Sequence, residues 1–558
     1  MASKRYHSFP KAHAMSHLRT RSLALSILIV VGMASSPMTS WASENVTTKT
    51  ATELAGDIKA GRFTAERAVR AMLTRINELD RSGPQLQSII TTNGQAMTVA
   101  RAIDEAMQAD PNLGGLLQGV PVLVKDNIET REMPTTAGSL ALVDNNTGRD
   151  ATIVARLRSA GALILGKTNL SEWANYRSQN GVAGWSGVGG LTRNPFDLNR
   201  SAGGSSSGSA VAVAAGFAPV ALGTETSGSI VSPAAAMGLV GFKPTVGLLP
   251  RTHIVPLSPR QDGPGVIAHT VEDAALLTSI MAGTDPQDPA SAEADTRRED
   301  YVAATEQEVA SMRIGIFRWA EGDNPAVSAA FNAALEVLKS LGVELVEIPG
   351  FSPKPVLWQS GDLVLRAEFR AGLNTYLASA APAVQTRSLA ALIKFNEEHA
   401  DRELALFGQE ILIEAQQAPA VESDAHRQVV AELVSAAREH GVDMVLKAND
   451  VRLLVMPTAK PAAPVDLAGA SEPSGGPLGA PWLPGMAGYP LLTVPMGEHL
   501  GLPLGITFVG TAWDDAAVLQ AGAAFQRAAP HRNEPTFANG DFERLDEVMP
   551  FRRFDPEK

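Results

Sequence analysis

Short apolar segments alternate with helical segments between residues 119 and 222, and this alternation constrains the fold more than any other feature. Val120–Lys125 is a run of aliphatic, largely β-branched residues that ends in a lysine, which is typical of a buried strand. A helical segment follows between a capping Asp150 and Gly161, and Ala162–Leu165 has the pattern of the next strand. Helices and strands in alternation predict an α/β sheet.

Two Gly/Ser-rich loops lie further along this segment. The first is Gly203–Gly208 and the second is Gly223–Ser229. A helical run (Ala210–Ala215) and a short apolar strand (Pro219–Leu222) join them. Ser232-Pro233 has the residue types of a helix N-cap followed by the first helical position. The second loop is therefore expected to lead directly into a helix N-terminus.

The C-terminal part of the chain returns to short apolar strands. They are predicted at Leu453–Val455, Leu491–Val494 and Ile506–Val509, and a strand-helix-strand unit at Ile314–Val346 precedes them. The rest of 285–450 is charged, Ala-rich and helical, so we expect it to be variable, peripheral and substrate-facing. We predict that all the strands join one sheet in a single interleaved α/β domain.

The N-terminal 42 residues have the features of a secretory signal peptide. They contain five basic residues, no acidic residue, an apolar run at Leu23–Met33 and small residues before Ala42. This predicts a signal peptide at 1–42, a mature domain at 43–558 and export to the periplasm or the medium. The alternative is an uncleaved N-terminal anchor, although the apolar run is shorter than the roughly 20 residues that span a bilayer.

Charge and composition restrict partners and cofactors. Removing residues 1–42 takes the formal net charge from −12 to −17, which disfavours nucleic acid and anionic membranes. The chain contains no cysteine, so it has no disulfide, no thiolate metal site and no cysteine nucleophile. We expect no metal, no organic cofactor and a monomeric protein. Isolated histidines lack a supporting motif; they are His253, His269, His399, His426, His440, His499 and His531.

Lys125 and the two Gly/Ser loops together offer the groups that amide hydrolysis needs. The reaction requires a nucleophile, a base, an acid for the leaving amine and donors for the developing oxyanion. The loops supply serine hydroxyls and successive backbone N–H groups. A lysine can act as the base when burial lowers its pKa, a route that is closed to arginine.

These three pieces resemble the three signature elements of the amidase signature family. Ser205 lies 80 residues after Lys125, and Ser229 lies 24 residues after Ser205, which is similar to the arrangement in that family. The resemblance implies a single α/β/α domain around one large mixed, twisted β-sheet. Further similar segments are Gly166–Asn169, Gly241–Thr245, Ser258–Asp262, Met456–Thr458 and Gly488–Pro490.

The resemblance also implies roles for individual residues. Ser229 matches the acyl-forming nucleophile, Ser205 the bridging serine and Lys125 the base of a Ser-Ser-Lys triad. The peptide bond beside Ser205 is expected to be cis. The implied oxyanion hole consists of the backbone N–H groups of Thr226, Ser227, Gly228 and Ser229. The supporting loop residues are Gly203, Gly204 and Ser206.

Within the family, Thr224–Ala235 and Ser258–Asp262 look most similar to peptide amidases, which release ammonia from C-terminal amides. The chain departs from the family at Ser227, where glycine is frequent, and at His269, where arginine is usual. Ser227 is expected to narrow the site and His269 to affect packing alone. The substrate is a small-molecule or peptide amide, and we expect its pocket near Thr135–Ser139, the middle segment and Gly485–Tyr489.

Several other interpretations remain. The same family chemistry would serve an esterase or acylamidase, and a related chain can act as a non-catalytic subunit. Gly204–Gly208 also matches the nucleophile elbow of α/β-hydrolases, which would make Ser206 the nucleophile. Gly161–Thr168 has the letters of a phosphate-binding P-loop. We reject the P-loop because its middle residues form the predicted strand.

Overall fold

A mixed sheet of eleven strands runs through the part of the chain that the structure describes, which is residues 46–110, 114–465 and 481–537 of a computed structural model. The predicted signal peptide lies outside these residues. The strands are β1 (Ile89–Thr92), β2 (Pro121–Lys125), β3 (Leu163–Thr168), β4 (Trp185–Ser186), β5 (Gly190–Leu191), β6 (Val220–Glu225), β7 (Val240–Lys243), β8 (Gly263–Ala268), β9 (Arg313–Ile316), β10 (Glu344–Glu347), β11 (Leu453–Pro457), β12 (Leu491–His499) and β13 (Leu502–Val509).

The strand order in the sheet is β1-β3-β2-β6-β8-β7-β12-β13-β11-β9-β10, and β4 and β5 form a separate hairpin. The pairs β3–β2, β2–β6, β11–β9 and β9–β10 are parallel. The other neighbours in the sheet are antiparallel. The large mixed sheet predicted from the sequence is confirmed, and the C-terminal strands join it as expected.

Helices cover both faces of this sheet. They are α1 (Ala51–Lys59), α2 (Ala65–Ile76), α3 (Ala96–Ala109), α4 (Thr152–Ser159), α5 (Glu172–Asn175), α6 (Ser207–Ala214), α7 (Val231–Ala236), α8 (Val271–Met281), α9 (Ala294–Arg297), α10 (Tyr301–Thr305), α11 (Pro325–Ser340), α12 (Val356–Gln359), α13 (Gly361–Ala378), α14 (Leu389–Glu398), α15 (Ala400–Glu403), α16 (Glu410–Gln417), α17 (Asp424–Ala437), α18 (Asp443–Ala448), α19 (Trp482–Ala487) and α20 (Asp515–Ala528).

Successive residues of the central strands point into two different apolar cores. In β2, Val122 and Val124 pack in the core that α4, α8, α11 and α20 cover. Leu123 packs in the opposite core, with α2, α3 and α6. Side chains alternate between the faces of a strand, so a continuously apolar strand is one that is buried on both sides. The single-domain α/β/α architecture is therefore confirmed.

Three local predictions were wrong by a few residues. Asp150 does not cap α4; its carboxylate instead binds Arg158, with Nε 3.0 Å from Oδ2. The second Gly/Ser loop is shorter than predicted because β6 continues to Glu225. Helix α7 begins at Val231, and Ser232-Pro233 lies inside its first turn.

The P-loop-like segment is a strand, as argued from the sequence. Residues 163–168 form β3 between β1 and β2, and they are buried. Lys167 forms an ion pair with Asp126 at 2.8 Å and donates to Thr135 Oγ1 at 2.7 Å. Its ammonium group is thus held inside the protein and does not face an anion-binding turn.

Among the described residues, no helix is long and apolar enough to cross a membrane. No group of three or more His, Asp or Glu side chains in that part of the chain is placed to hold a metal ion.

Candidate active site

Lys125 is the last residue of β2, at the edge of the sheet where three parallel strands end together. In the register of the sheet, Lys125 lies opposite Thr168 of β3, and Val124 lies opposite Leu222 of β6. The carboxyl ends of neighbouring parallel strands form the usual ligand-binding edge of an open α/β sheet. The alternation of strand and helix thus brings Lys125 to the end of β6, where the second loop begins.

The ammonium group of Lys125 is fully buried and contacts two residues. Its Nζ lies 2.8 Å from Ser205 Oγ, 3.1 Å from the carbonyl oxygen of Thr224 and 2.9 Å from Thr224 Oγ1. Asn127 Nδ2 also donates to Thr224 Oγ1, at 2.9 Å. Lys125, Thr224 and Ser205 therefore form one hydrogen-bonded cluster at the sheet edge.

Burial lowers the pKa of Lys125 to about 7. Desolvation penalises the charged form of a lysine, and the negative charges of Glu225 and Asp262 only partly offset this effect. The direction agrees with the expectation from the sequence. At neutral pH a substantial fraction of Lys125 is therefore uncharged and able to accept a proton.

The first loop brings Ser205 to Lys125 through a tight backbone turn. The Gly204–Ser205 peptide bond is cis, which confirms the expectation from the resemblance. A Cβ atom on Gly204 would lie 2.4 Å from Ser171 Oγ, so a larger residue at this position would displace the Ser171 hydroxyl. Ser205 itself is buried, and its carbonyl oxygen accepts a hydrogen bond from Ser171 N.

Ser206 is engaged with the backbone of β6. Its hydroxyl donates to the carbonyl oxygen of Thr224 at 3.1 Å and accepts from Thr224 N at 3.3 Å. The side chain is fully buried, and its backbone N–H donates to the carbonyl oxygen of Ser229 at 3.1 Å. Ser206 therefore fastens the two Gly/Ser loops together.

The second loop places Ser229 against the first loop, where its carbonyl oxygen accepts from Ser206 N. Ser229 is partly exposed, whereas Ser205 and Lys125 are buried. Ser227, the position where the family often has glycine, is exposed. Gly228 has a φ of 95°, a left-handed backbone conformation that favours glycine. The loop thus turns sharply just before Ser229.

Glu225 holds the end of this loop in place. Its Oε2 accepts hydrogen bonds from the N–H groups of Ile230 at 2.7 Å and Val231 at 3.0 Å, at the start of α7. Burial raises the pKa of Glu225, and backbone donors including Gly228 N–H act in the opposite direction. This carboxylate takes the capping role that the sequence analysis assigned to Ser232.

Asp262 connects the second loop to a neighbouring turn. Thr226 Oγ1 donates to Asp262 Oδ1 at 2.6 Å, and the N–H groups of Leu257 and Ser258 donate to Oδ2 at 2.6 and 2.8 Å. From the sequence, Asp262 was noted only as part of a segment similar to the family, and Asn127 and Thr224 were given no role. Asn127 lies close to Lys125 along the chain and Thr224 lies within the predicted second loop, and these positions were the signal that could have identified them.

A cavity of about 1000 Å³ opens against this cluster at Asn127, Thr224 and Thr226. Its other walls are the loop 251–264, helix α13 and helix α17. The middle segment therefore contributes to the cavity, as the sequence analysis expected.

Two segments that were expected to form the pocket, Thr135–Ser139 and Gly485–Tyr489, are instead buried outside the cavity wall. Thr136 N donates to Asp126 Oδ2 at 3.1 Å, just after β2. Gly485 packs closely against the backbone of Thr226, where an added Cβ would lie 3.0 Å from the carbonyl oxygen. Both segments therefore pack behind the site: Thr136 contacts the residue that follows Lys125, and Gly485 contacts the second loop.

His269 lies away from this cluster. Its carbonyl oxygen accepts from Gln526 Nε2 of α20 at 2.9 Å, and burial lowers the pKa of its imidazole to about 4. A partly buried ring whose pKa is lowered fits the expectation that the substitution affects packing.

An α/β/α sheet with a buried lysine, a cis-linked serine and a second serine loop at one edge defines the class of amide-hydrolysing enzymes that the sequence suggested. The family model described as Amidase matches residues 67–519. The chain belongs to the amidase family, also called the amidase signature family, and it is an amide hydrolase.

Solved structures of peptide amidases share this fold. The chain is 40% identical to native peptide amidase from Stenotrophomonas maltophilia, with a TM-score of 0.82, and the match covers 88% of this chain and 99% of that one. Peptide amidase PAM in complex with the competitive inhibitor chymostatin gives a TM-score of 0.83 at 40% identity with the same coverage. The likeness to peptide amidases is confirmed.

Curated relatives carry two kinds of name. A probable amidase of Arabidopsis thaliana is 33% identical, and the match covers 85% of this chain and 89% of the relative. A glutamyl-tRNA(Gln) amidotransferase subunit of Chloroflexus aggregans is 35% identical, with 86% of this chain and 96% of the relative covered.

Proposed function

We propose that this protein removes the C-terminal amide of peptides as ammonia, through an acyl-enzyme formed on Ser229. Ser205 relays the proton and Lys125 is the base. The observation that carries the proposal is the 2.8 Å contact between Ser205 Oγ and the Nζ of a fully buried lysine. The peptide amidase structures support the substrate class.

The contacts of Lys125 support a transfer of the proton from Ser205 to the lysine amine. An uncharged lysine amine has two N–H groups and one lone pair. The two acceptors on Thr224 take the N–H groups, so the lone pair is left to face the hydroxyl proton of Ser205. Thr224 thus orients the base, and Asn127 holds the Thr224 hydroxyl.

The reaction then proceeds in two half-cycles. Ser229 Oγ bonds to the amide carbon, its proton passes to Ser205 Oγ, and the proton of Ser205 passes to Lys125. The relay runs backwards to protonate the leaving nitrogen, the C–N bond breaks, and ammonia departs. Water then attacks the acyl-serine by the same route and releases the peptide acid.

Backbone N–H groups of the second loop stabilise the oxyanion in this proposal. Among the predicted set of Thr226, Ser227, Gly228 and Ser229, the N–H of Gly228 faces the Glu225 carboxylate. The other three are therefore the better donors. Loss of one such donor typically costs about 100- to 1,000-fold in rate.

The other interpretations have less support. An esterase or acylamidase would use the same acyl-enzyme. Ser206 is a poor nucleophile because its hydroxyl is buried and bonded to the backbone of Thr224. A role as one subunit of a larger assembly has one observation in its favour, since a relative carries the name of an amidotransferase subunit.

Product release by the purified mature chain tests the proposal: ammonia from a peptide amide and from a fatty amide, and aniline from an anilide. The variants are Ser229→Ala and Ser340→Ala, a remote serine on α11. We expect the peptide amide to be hydrolysed by the wild type and Ser340→Ala and not by Ser229→Ala. Full activity in Ser229→Ala would overturn the triad, and hydrolysis of the anilide alone would favour an acylamidase.

We also propose that the protein is exported and monomeric. Support for export comes from the basic and apolar composition of residues 1–42. Fractionation of cells with N-terminal sequencing, and light scattering of the purified protein, test these two points. A full-length N-terminus in the cytoplasm would contradict export, and a stable complex would contradict the monomer.

A further inference from the structure

The cavity that opens at Asn127, Thr224 and Thr226 is large, and ion pairs or hydrogen bonds engage most of the charged side chains in its wall. A volume of about 1000 Å³ is at the upper end of the range for small-molecule sites. Ammonia is a small leaving group, so under the proposed function the space must accommodate the acyl side of the substrate. The chemistry of the wall therefore determines which acyl groups are accepted.

Arg251 is paired within the wall. Its Nη2 lies 2.6 Å from Asp288 Oδ1 and its Nε lies 2.9 Å from Asp288 Oδ2. Both side chains are largely buried and both residues line the cavity. This two-point pairing satisfies the guanidinium group, which would otherwise be the natural partner for a substrate carboxylate.

Glu368 is paired in the same way. Arg260 donates from Nε to Oε1 at 2.6 Å and from Nη2 to Oε2 at 3.0 Å, and Ser258 Oγ donates to Oε2 at 2.7 Å. Glu368 lines the cavity and is almost fully buried. Its charge is thus committed to the loop 257–262 and is not available to bind a cationic substrate.

The wall has further titratable residues, which include Tyr376 and His426. The oxygens of Asp262 accept from Thr226, Leu257 and Ser258, as described above. Burial and the nearby Arg149 lower the pKa of His253, which favours its uncharged form. Arg427, at the exposed rim, forms an ion pair with Asp424.

Apolar atoms cover much of the surface between these pairs. Ile254–Leu257 and Pro264 come from the chain between β7 and the start of β8, Ala371 and Gly372 from α13, and Val430 from α17. A charged acyl group placed against these apolar atoms would lose hydration without gaining a hydrogen-bond partner from them, which is unfavourable. An apolar group would gain from leaving water.

We infer that the cavity is an acyl subsite that selects uncharged, bulky apolar groups, so the favoured substrates are amides whose residues next to the scissile bond are apolar. This inference rests on the proposed function. Ala371 on α13 is a specificity-determining residue because a larger side chain there reduces the space for the acyl group.

A series of blocked dipeptide amides tests the inference. The residues compared are Phe, Gly, Asp and Lys at the amidated position. We expect kcat/KM for the Phe amide to exceed kcat/KM for the Asp and Lys amides by at least about tenfold, because hydrophobic pockets discriminate between substrates by factors of this size. Equal turnover of the Phe and Asp amides would overturn the inference.

Ala371→Leu tests the wall itself, with Ala378→Leu as a matched control on the exposed face of the same helix. Ala371→Leu should lower kcat/KM for the Phe amide about tenfold and leave the Gly amide unchanged, which also shows that the variant is folded. Ala378→Leu should change neither. Parallel losses on both amides in Ala371→Leu would contradict the inference.

Binding of the same peptides to Ser229→Ala separates the two proposals. If the cavity is an apolar acyl subsite, calorimetry should give a tighter Kd for the Phe amide than for the Asp amide. This ranking is expected even if the wild-type protein hydrolyses neither amide, in which case the proposed function fails and the subsite stands. Equal binding overturns the subsite whatever the activity.

Discussion

Lys125 is the residue whose chemistry depends most on its surroundings. A lysine in water is protonated far above neutral pH, but full burial lowers the pKa of Lys125 to about 7. In the proposed mechanism its three contacts leave the lone pair of the uncharged amine facing Ser205. Lysine supplies an amine that can accept a proton, and burial lowers its pKa so that the uncharged amine is present near neutral pH.

The pH dependence of kcat/KM tests this base. Only uncharged Lys125 accepts a proton, so activity should rise about tenfold per pH unit below about pH 7 and level off above it. Lys125→Arg should lose on the order of ten-thousandfold or more at every pH because arginine stays protonated. A flat profile for the wild type between pH 5 and 9 would contradict the assignment.

Thr224 is expected to be a positioning residue for Lys125. Thr224→Val removes the hydroxyl that accepts from both Lys125 and Asn127. We expect kcat to fall by about 10- to 100-fold, because the free energy of a lost buried hydrogen bond corresponds to a rate change of this size. Thr224→Ser keeps the hydroxyl and should restore most of the activity. Steady-state kinetics that show equal losses in both variants would point to a packing role instead.

At the scale of elements, the second loop is held at both ends by carboxylates. Glu225 binds the N–H groups at the start of α7, and Asp262 binds the hydroxyl of Thr226. Glu368 of α13 in turn fixes Ser258 and Arg260 in the turn that contains Asp262. The middle segment therefore reaches the second loop through a continuous chain of hydrogen bonds.

Thr226→Val tests the link between the loop and Asp262. Without the hydroxyl the loop is free to shift, so we expect kcat to fall about tenfold with little change in KM, because the loop acts on the transition state more than on substrate binding. Thr226→Ser is the matched control and should behave like the wild type. A change confined to KM would show that Thr226 contacts the substrate instead.

At the scale of the whole molecule, a buried cluster joins the middle segment to α5 and to the chain that follows β2. Arg177 Nη1 lies 2.9 Å from Glu172 Oε1 and 3.3 Å from Glu403 Oε2, and all three side chains are buried. Glu403 Oε1 also accepts from Leu140 N at 2.7 Å. Burial, together with the neighbouring Glu403, raises the pKa of Glu172 well above its usual range. The folded state therefore holds this proton to a higher pH than the unfolded state does.

Unfolding measurements test the charge state of this cluster. Unfolded Glu172 loses its proton above about pH 4.5, whereas the folded protein retains it, so this residue lowers stability as pH rises above that value. Glu172→Gln imitates the protonated acid and should flatten the pH dependence of the unfolding free energy. Arg177→Met should cost about 3–5 kcal/mol because it leaves the Glu403 charge unpaired. The hypothesis fails if Glu172→Gln is as destabilising as Arg177→Met.

Three features were predictable from the amino-acid sequence because they depend on local pattern and residue type: the alternation of helices and strands, the strand-end position of Lys125 and the two serine loops. Other features required the folded structure. Glu225, and not Ser232, holds the start of α7; Asp262 contacts the second loop and Thr224 contacts Lys125; and the cavity lies between 251–264, α13 and α17. These features join residues that are distant along the chain, as in the pairing of Ser258 with Glu368. Local periodicity carries no information about such contacts, since burial and hydrogen-bond partners exist only once the sheet has assembled.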